Sequence, residues 1–165
     1  SPMTINEYKK AYNYFIKHEE VLYVSEHRDS FDYSKELKNK LDKNPHIVIL
    51  AISITRFQAE KARIKLKKIG IRVGIIHLFW LKPFILSSKI IKYLNTSKFG
   101  LLITDNDYVD GIARTIAHKI SIKSGKKAYV LGLLDRTAGH HAKVDNLPPD
   151  ASKITNKILN IIKSK

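Results

Sequence analysis

Apolar residues are distributed along the chain in two alternating rhythms. Ile5, Tyr8, Tyr12, Phe15 and Ile16 recur at helical spacing behind Thr4 and Glu7, the pair of a capping box, and this predicts a helix over residues 5–18. Residues 21–25, VLYVS, read as a short strand. The polar cluster EHRDS and the stretch FDYSKELKNKLDKNP then keep no clean period, and Pro45 closes them. A linker with at most one helical turn is expected there.

From residue 46 the pattern sharpens. HIVILAISI, residues 46–54, is a near-continuous apolar run, as expected for a strand buried on both faces of a parallel sheet. Thr55 is placed to cap the next helix, whose Ala59, Ala62, Leu66 and Ile69 form one stripe among lysines, with Gly70 as its C′ residue. A second strand occupies residues 71–81, and Pro83 opens a helix carrying Leu86, Ile90, Ile91 and Leu94. FGLLITD, residues 99–105, is a third strand; Asp110 or Gly111 begins a helix with Ile112, Ile116 and Ile120 on one face. Residues 126–134 form a fourth strand, and Pro148–Pro149–Asp150 introduces a last helix with Ile154, Ile158, Ile161 and Ile162. Strand and helix alternate, so the economical fold is a three-layer α/β domain with a largely parallel sheet.

Composition bounds this picture. A chain of 165 residues builds one well-cored domain, not a multidomain machine. Lys and Arg outnumber Asp and Glu by 30 to 15, a charge of +15 that favours anionic partners in general. Isoleucine, with 23 copies, is nearly as abundant as the 24 lysines, so part of this excess reads as a genomic bias spread over solvated faces. The absence of cysteine removes disulfides, thiolate metal sites and cysteine nucleophiles. No apolar run has the length of a membrane span, no signal-peptide pattern opens the chain, and Ser1–Pro2 before Met3 looks like an expression scar; a cytoplasmic location is expected.

Ligands of open α/β sheets sit beyond the C-terminal strand ends, here Ser53–Thr55, His77–Trp80, Thr104–Asp107 and Leu134–Arg136. The first crossover, AISITRFQAEK, lacks GxGxxG, which argues against a dinucleotide; the amides of residues 55–57 beside Arg56 remain a weaker candidate for an anion. Asp105, Asp107 and Asp110 lack the rest of a calcium loop and are explained as well by the dipole of the helix that follows. His140 and His141 with Asp145, joined by His77 and His118, raise a metal or acid–base reading without HExxH; Ser53 lacks the GxSxG of a nucleophile elbow. Glu26, His27, Arg28 and Asp29 form the densest polar cluster, read first as a loop pinned by salt bridges. Tyrosines beside lysines, such as Tyr8, Tyr12, Tyr14 and Tyr93, come with no nucleic-acid signature.

The order of these segments resembles the C-terminal domain of transketolase-like thiamine diphosphate enzymes, including the beta subunit of 2-oxoacid dehydrogenase E1 components. VLYVSEHRDSF, residues 21–31, looks like the end of that family's pyrimidine-binding domain. Residues 46–84 are similar to the strand, helix and strand that lead to the DLRTLxPxD turn; residues 101–120 resemble the segment with paired glycines, and residues 131–162 the last strand, long loop and closing helix. The chain departs from the pattern at Ser53, where the turn glycine stands, at His77 and Phe79, where the turn has its aspartate and arginine, and at Asp110–Gly111, in place of the two glycines. These positions line the loop ends of the family's proposed anion or regulatory site.

The resemblance implies a mostly parallel five-stranded sheet with one antiparallel strand. Residues 4–31 would be the tail of a preceding pyrimidine-binding domain or an N-terminal extension, 32–45 a linker and 46–163 the α/β domain. It also implies an assembly and interface role, inactive alone, within a thiamine diphosphate-dependent transferase or oxidoreductase that makes or breaks a carbon–carbon bond beside a carbonyl. Thiamine diphosphate and a divalent cation are then expected in the complete enzyme, with none held by this chain alone. The expected partners are the remaining domains or subunits, in a homo-oligomer, commonly a dimer, with no membrane and no nucleic acid. The residues expected near interdomain surfaces are Glu26, His27, Arg28, His77, Asp105, Asp110, Gly111, His140 and His141. Two rivals stay open: a stand-alone basic module for nucleic acid or another polyanion, and a small independent α/β enzyme using His140 or His141 with Asp135 or Asp145.

Overall fold

In the segment IVILAI every residue is buried, with successive side chains serving opposite layers. This is β1 (Ile47–Ile52), an inner strand of a sheet ordered β2-β1-β3-β4, in which β2 is Val73–Leu78, β3 Leu101–Tyr108 and β4 Ala128–Leu133. All three strand pairings are parallel, and a register shift between Thr104 and Tyr108 bends β3 against β4. The computed structural model describes residues 1–33, 35–137 and 145–164.

Helices cover both faces. Ile47, Ile49 and Ala51 meet Ala59, Ala62 and Leu66 of α2 (Thr55–Lys68) and Ile154, Ile158 and Ile161 of α5 (Ala151–Lys163). Val48, Leu50 and Ile52 meet Leu94 of α3 (Ser88–Asn95) and Ala113, Ile116 and Ile120 of α4 (Ile112–Ser124). The three-layer α/β domain expected from the sequence is therefore present. Gly70 takes φ +77°, as a C′ residue that reverses the chain after α2 must, and α5 is capped by Asp150, which accepts from the Lys153 amide at 2.7 Å. No helix among the described residues is long and apolar enough to cross a membrane.

Several local expectations change. The described residues form four strands, all parallel, where five with one antiparallel were expected. The antiparallel component is a single bridge between Lys40 and Ile75 on the outer edge of β2, with reciprocal bonds of 2.8 Å. Its extension stops because the Asn39 side chain, not a backbone carbonyl, accepts from the His77 amide at 2.8 Å. VLYVS belongs to no strand, for a strand exists only through a partner's ladder. Val21 and Tyr23 point outward, 98% and 89% exposed, while Leu22 and Val24 are half-buried, so the alternation of a strand is kept without its pairing.

The helix near the N-terminus, α1 (Ile5–Lys17), forms without the expected capping box. The Thr4 hydroxyl donates to Glu36 at 2.6 Å, and Glu7 accepts from the Met3 amide at 3.0 Å. Thr55 does not cap α2: Ile54 is the N-cap, and the Thr55 hydroxyl bonds back to the Ile52 carbonyl at 2.6 Å and across to Thr104 at 3.0 Å. Pro83 lies ahead of α3, which Ser87 caps, and Ile69 is an exposed C-cap outside the buried stripe.

Candidate functional site

The strand order changes direction at β1, whose parallel neighbours are β2 and β3, and a cleft opens beyond the C-terminal ends of these strands. Its volume is about 790 Å³. Ser53 after β1, Phe79 and Trp80 after β2, and Asp105 to Asp107 at the end of β3 form its floor, while Tyr14, Phe15 and residues 20–25 of the N-terminal segment form its outer wall. Tyr14 meets Trp80 edge to face at a centroid separation of 4.9 Å and donates to Glu20 at 3.2 Å, linking the two sides. The Ser1 amino group donates to the Phe79 carbonyl at 2.6 Å.

Ser53 turns the chain from β1 into α2 at φ +50°, a left-handed conformation that costs a residue with a Cβ about 1–2 kcal/mol. Two of the amides that follow are already engaged: Arg56 N–H donates to the Ser53 carbonyl at 3.1 Å and Phe57 N–H to the Ile54 carbonyl at 3.2 Å. The Arg56 side chain, 0% exposed, is also engaged, with both terminal nitrogens donating to the Glu7 carboxylate. Burial pushes the Glu7 carboxyl up, but the Arg56 hydrogen bonds and charge and the Met3 amide outweigh it and hold it below the usual range. This pair, with Met3 packed on Ile54 and Phe57, docks α1 onto the start of α2. Of the groups considered for an anion at residues 55–57, the amides of Arg56 and Phe57 and the Arg56 side chain are therefore engaged within the protein.

Asp105 is 2% exposed and lines the cleft; its carboxylate accepts from the Asn106 amide at 2.8 Å. Burial, helped by the nearby Asp107 charge, pushes its carboxyl up to about 6. The acidic side chains lining the cleft are Glu20, Asp105 and Asp107, against two basic groups, the Lys82 side chain and the Ser1 amino group, so the local balance reverses that of the whole chain.

The other residues singled out by sequence are dispersed. His77 lies on β2 behind the cleft, its Nε2 3.1 Å from Glu60 and its Nδ1 buried without a partner. Burial pushes the imidazole down, the Glu60 hydrogen bond opposes this, and the nearby Arg56 charge lowers it further. Asp110 is exposed and pairs with Arg114 at 2.6 Å, and Gly111 is the N-cap of α4. Glu26 and Arg28 are exposed, while the half-buried His27 accepts from the Asp29 amide at 3.3 Å at the head of a 3-10 helix, Arg28–Asp32. The Glu26–Asp29 cluster is thus held mainly by local turn bonds, with one long His27–Asp29 contact of 3.9 Å. His140 and His141 lie outside the described residues; Asp145 pairs with Arg136 at 2.7 Å.

Among the described residues no three His, Asp or Glu side chains converge as metal ligands. The cleft presents aromatic and apolar side chains, among them Tyr14, Phe15, Phe79 and Trp80, beside the buried carboxyl of Asp105. Sequence reasoning missed the Glu7–Arg56 pair and the part Tyr14 plays in the wall. The signal for the first was present, since Arg56 is a cation among otherwise buried positions of the first helical turn and requires a carboxylate from elsewhere in the chain.

The profile of the family described as transketolase, C-terminal domain, matches residues 36–154. Among solved structures, the chain is similar to a split gene transketolase described as an inactive beta4 tetramer, at 15% identity and a TM-score of 0.62, over 80% of this chain and 44% of that one. It is also similar to a 2-oxoglutarate:ferredoxin oxidoreductase from Magnetococcus marinus with 2-oxoglutarate, coenzyme A and succinyl-CoA bound, at 16% identity and a TM-score of 0.58, over 80% of this chain and 20% of that one. The chain thus spans less than half the length of either, and at these identities the likeness is one of fold. No curated protein matches it by sequence.

Proposed function

The chain belongs to the transketolase C-terminal domain family, and on that premise we propose that it is an assembly and interface domain of a thiamine diphosphate-dependent enzyme. The complete enzyme is of the transketolase or 2-oxoacid dehydrogenase E1-beta kind, and this chain has no turnover of its own. The observation that carries the reading is the segment Val21–Ser25. It has the alternation of a strand, its backbone makes no hydrogen bond among the described residues, and Val21 and Tyr23 stand almost wholly in solvent. Apolar side chains are held there at a cost that contact with another domain removes. On this reading residues 4–31 are the tail of a preceding pyrimidine-binding domain or an N-terminal extension, 32–45 the linker, whose residues from 36 on already fall within the family match, and 46–163 the C-terminal domain proper. Glu26, His27 and Arg28 directly follow the unpaired segment and lie nearest the interdomain surface, with Asp105 on the cleft floor beneath it.

The described residues do not fit thiamine diphosphate by themselves. A diphosphate with its divalent cation needs converging oxygen ligands and free amides; here no such ligand set converges, and the amides of Arg56 and Phe57 are engaged. The bond-making chemistry belongs to the cofactor and to the domains that hold it. A homo-oligomeric, cytoplasmic enzyme is the setting this role implies.

Mixing decides the matter. The purified chain is assayed for thiamine diphosphate binding and carbon–carbon ligation, alone and with the polypeptide encoded immediately upstream. Silence alone and activity in the mixture support the role, with Val21→Asp and Tyr23→Asp weakening association while leaving the melting temperature of the isolated chain in place. Cofactor binding by the isolated chain, or no association, refutes it.

A further inference from the structure

The two edges of the sheet are finished differently. On β2 the outer edge is bridged by Lys40 and by the Asn39 side chain. On β4 the only strand neighbour among the described residues is β3, and its first five residues are all half-exposed, unlike the fully buried β1. The Lys127 carbonyl accepts from Leu101 of β3 at 2.9 Å, so Lys127, Tyr129 and Leu131 direct their backbone groups inward. By the alternation of a parallel ladder, the N–H and C=O of Ala128 and Val130 face outward.

Ala128, Tyr129 and Val130 line a shallow, open groove of about 440 Å³ that is flanked by Arg114, His118 and Ser121 of α4 and Lys157 of α5. Among the described residues no carboxylate lines it. Arg114 shares its charge with exposed Asp110 at 2.6 Å, whereas Lys157, which also lines the groove, pairs with no carboxylate among the described residues.

We infer that the outer edge of β4 accepts an extended acidic segment of a partner polypeptide as an added strand, its backbone paired with Ala128 and Val130 and its carboxylates facing Lys157, Arg114 and His118. Two features together select this occupant. An edge that offers donor and acceptor in alternation is the template for strand addition, where main-chain bonds give affinity and flanking groups give choice. The basic lining, in which only Arg114 has a carboxylate partner among the described residues, then sets the sign of the partner. A second copy of this chain would bring its own +15 charge and is disfavoured. Nucleic acid would satisfy the cations but has no backbone that alternates donor and acceptor. The inference is independent of the assembly role, since it concerns the opposite edge of the sheet from Lys40 and none of the cleft.

The test uses the full chain and an acetylated octapeptide of alternating Glu and Val, with the Lys–Val peptide as control. Hydrogen exchange should slow at the amides of Ala128 and Val130 on adding the acidic peptide, while those of Tyr129 and Leu131, already bonded to β3, stay as they were. Val130→Pro deletes one outward N–H at an edge position where proline is tolerated, and is expected to weaken binding about tenfold. Lys157→Glu, which leaves the ladder intact, should do the same and should favour the Lys–Val peptide. Equal binding of both peptides, protection that does not distinguish Ala128 and Val130 from their neighbours, or displacement of the acidic peptide by an oligothymidylate that protects the same amides would overturn the inference.

Discussion

Removing the Glu7 carboxylate puts the docking of α1 to a quantitative test. Arg56 is fully buried, its Nε has no partner, and its two terminal nitrogens both end on Glu7. Glu7→Ala therefore strands a guanidinium in the interior, and breaking a buried pair from one side costs about 3–5 kcal/mol. For a chain of this length about 1 kcal/mol moves Tm by roughly 2–4 °C, so a fall of about 6 °C or more is expected. The chain has one escape: α1 can lift away and let water reach Arg56, which would appear as faster amide exchange in Ile5–Lys17 with the sheet still protected. Replacing both partners, Glu7→Leu with Arg56→Met, should recover most of the loss, because the pair itself is worth far less than its half-removal suggests. The pH dependence follows in sign. A carboxyl held below its ordinary value of 4.5 contributes stability above that value and loses it as the pH falls through the depressed one. A loss under about 1 kcal/mol in urea denaturation, with α1 still protected, would refute the claim that this pair fastens the N-terminal segment.

Two further outcomes can be checked with the same denaturation assay. Asp105, pushed up to about 6 by burial, binds its proton more tightly folded than unfolded, so its contribution falls as the pH rises from about 4 to 6. Asp105→Asn should raise stability by about 3 kcal/mol at pH 8 and by little at pH 4; a constant difference across that range would refute the assignment. Ser53→Gly removes the penalty of a left-handed serine and should be neutral or stabilising by up to about 1 kcal/mol, whereas Ser53→Val should destabilise; the reverse order would show that the turn is held otherwise.

A strand buried on two faces announces itself: β1 was legible because IVILAI cannot be placed anywhere but inside, as were the mostly buried β2 and β3, while the half-exposed β4 was legible as an apolar run, AYVLGL, in the same alternation with helices. The helical stripes of α2, α4 and α5 were legible for the same reason, as apolar positions recurring on one side of a charged helix. What escaped depends on pairing across the chain. Residues 21–25 carry a strand's pattern, yet no local property says whether a partner strand is within reach. Thr55 had the composition of a cap, but Thr104, 49 residues away, offered its hydroxyl a better use. The departures at Ser53, His77 and Asp110 were visible as letters, while their consequences needed coordinates: a strained turn, a buried imidazole beside Glu60, and an exposed ion pair.

A sheet with one closed edge and one open edge can add a strand only once. Lys40 and the Asn39 amide occupy the bonding positions of β2 that a second sheet would need, and the ion pair of Asp42 with Arg63 at 2.8 Å holds that cover in place. Head-to-tail stacking of copies, β4 of one against β2 of the next, is therefore interrupted at every junction. Filaments built by edge-to-edge growth, the usual hazard of an exposed parallel strand, stop at a single contact.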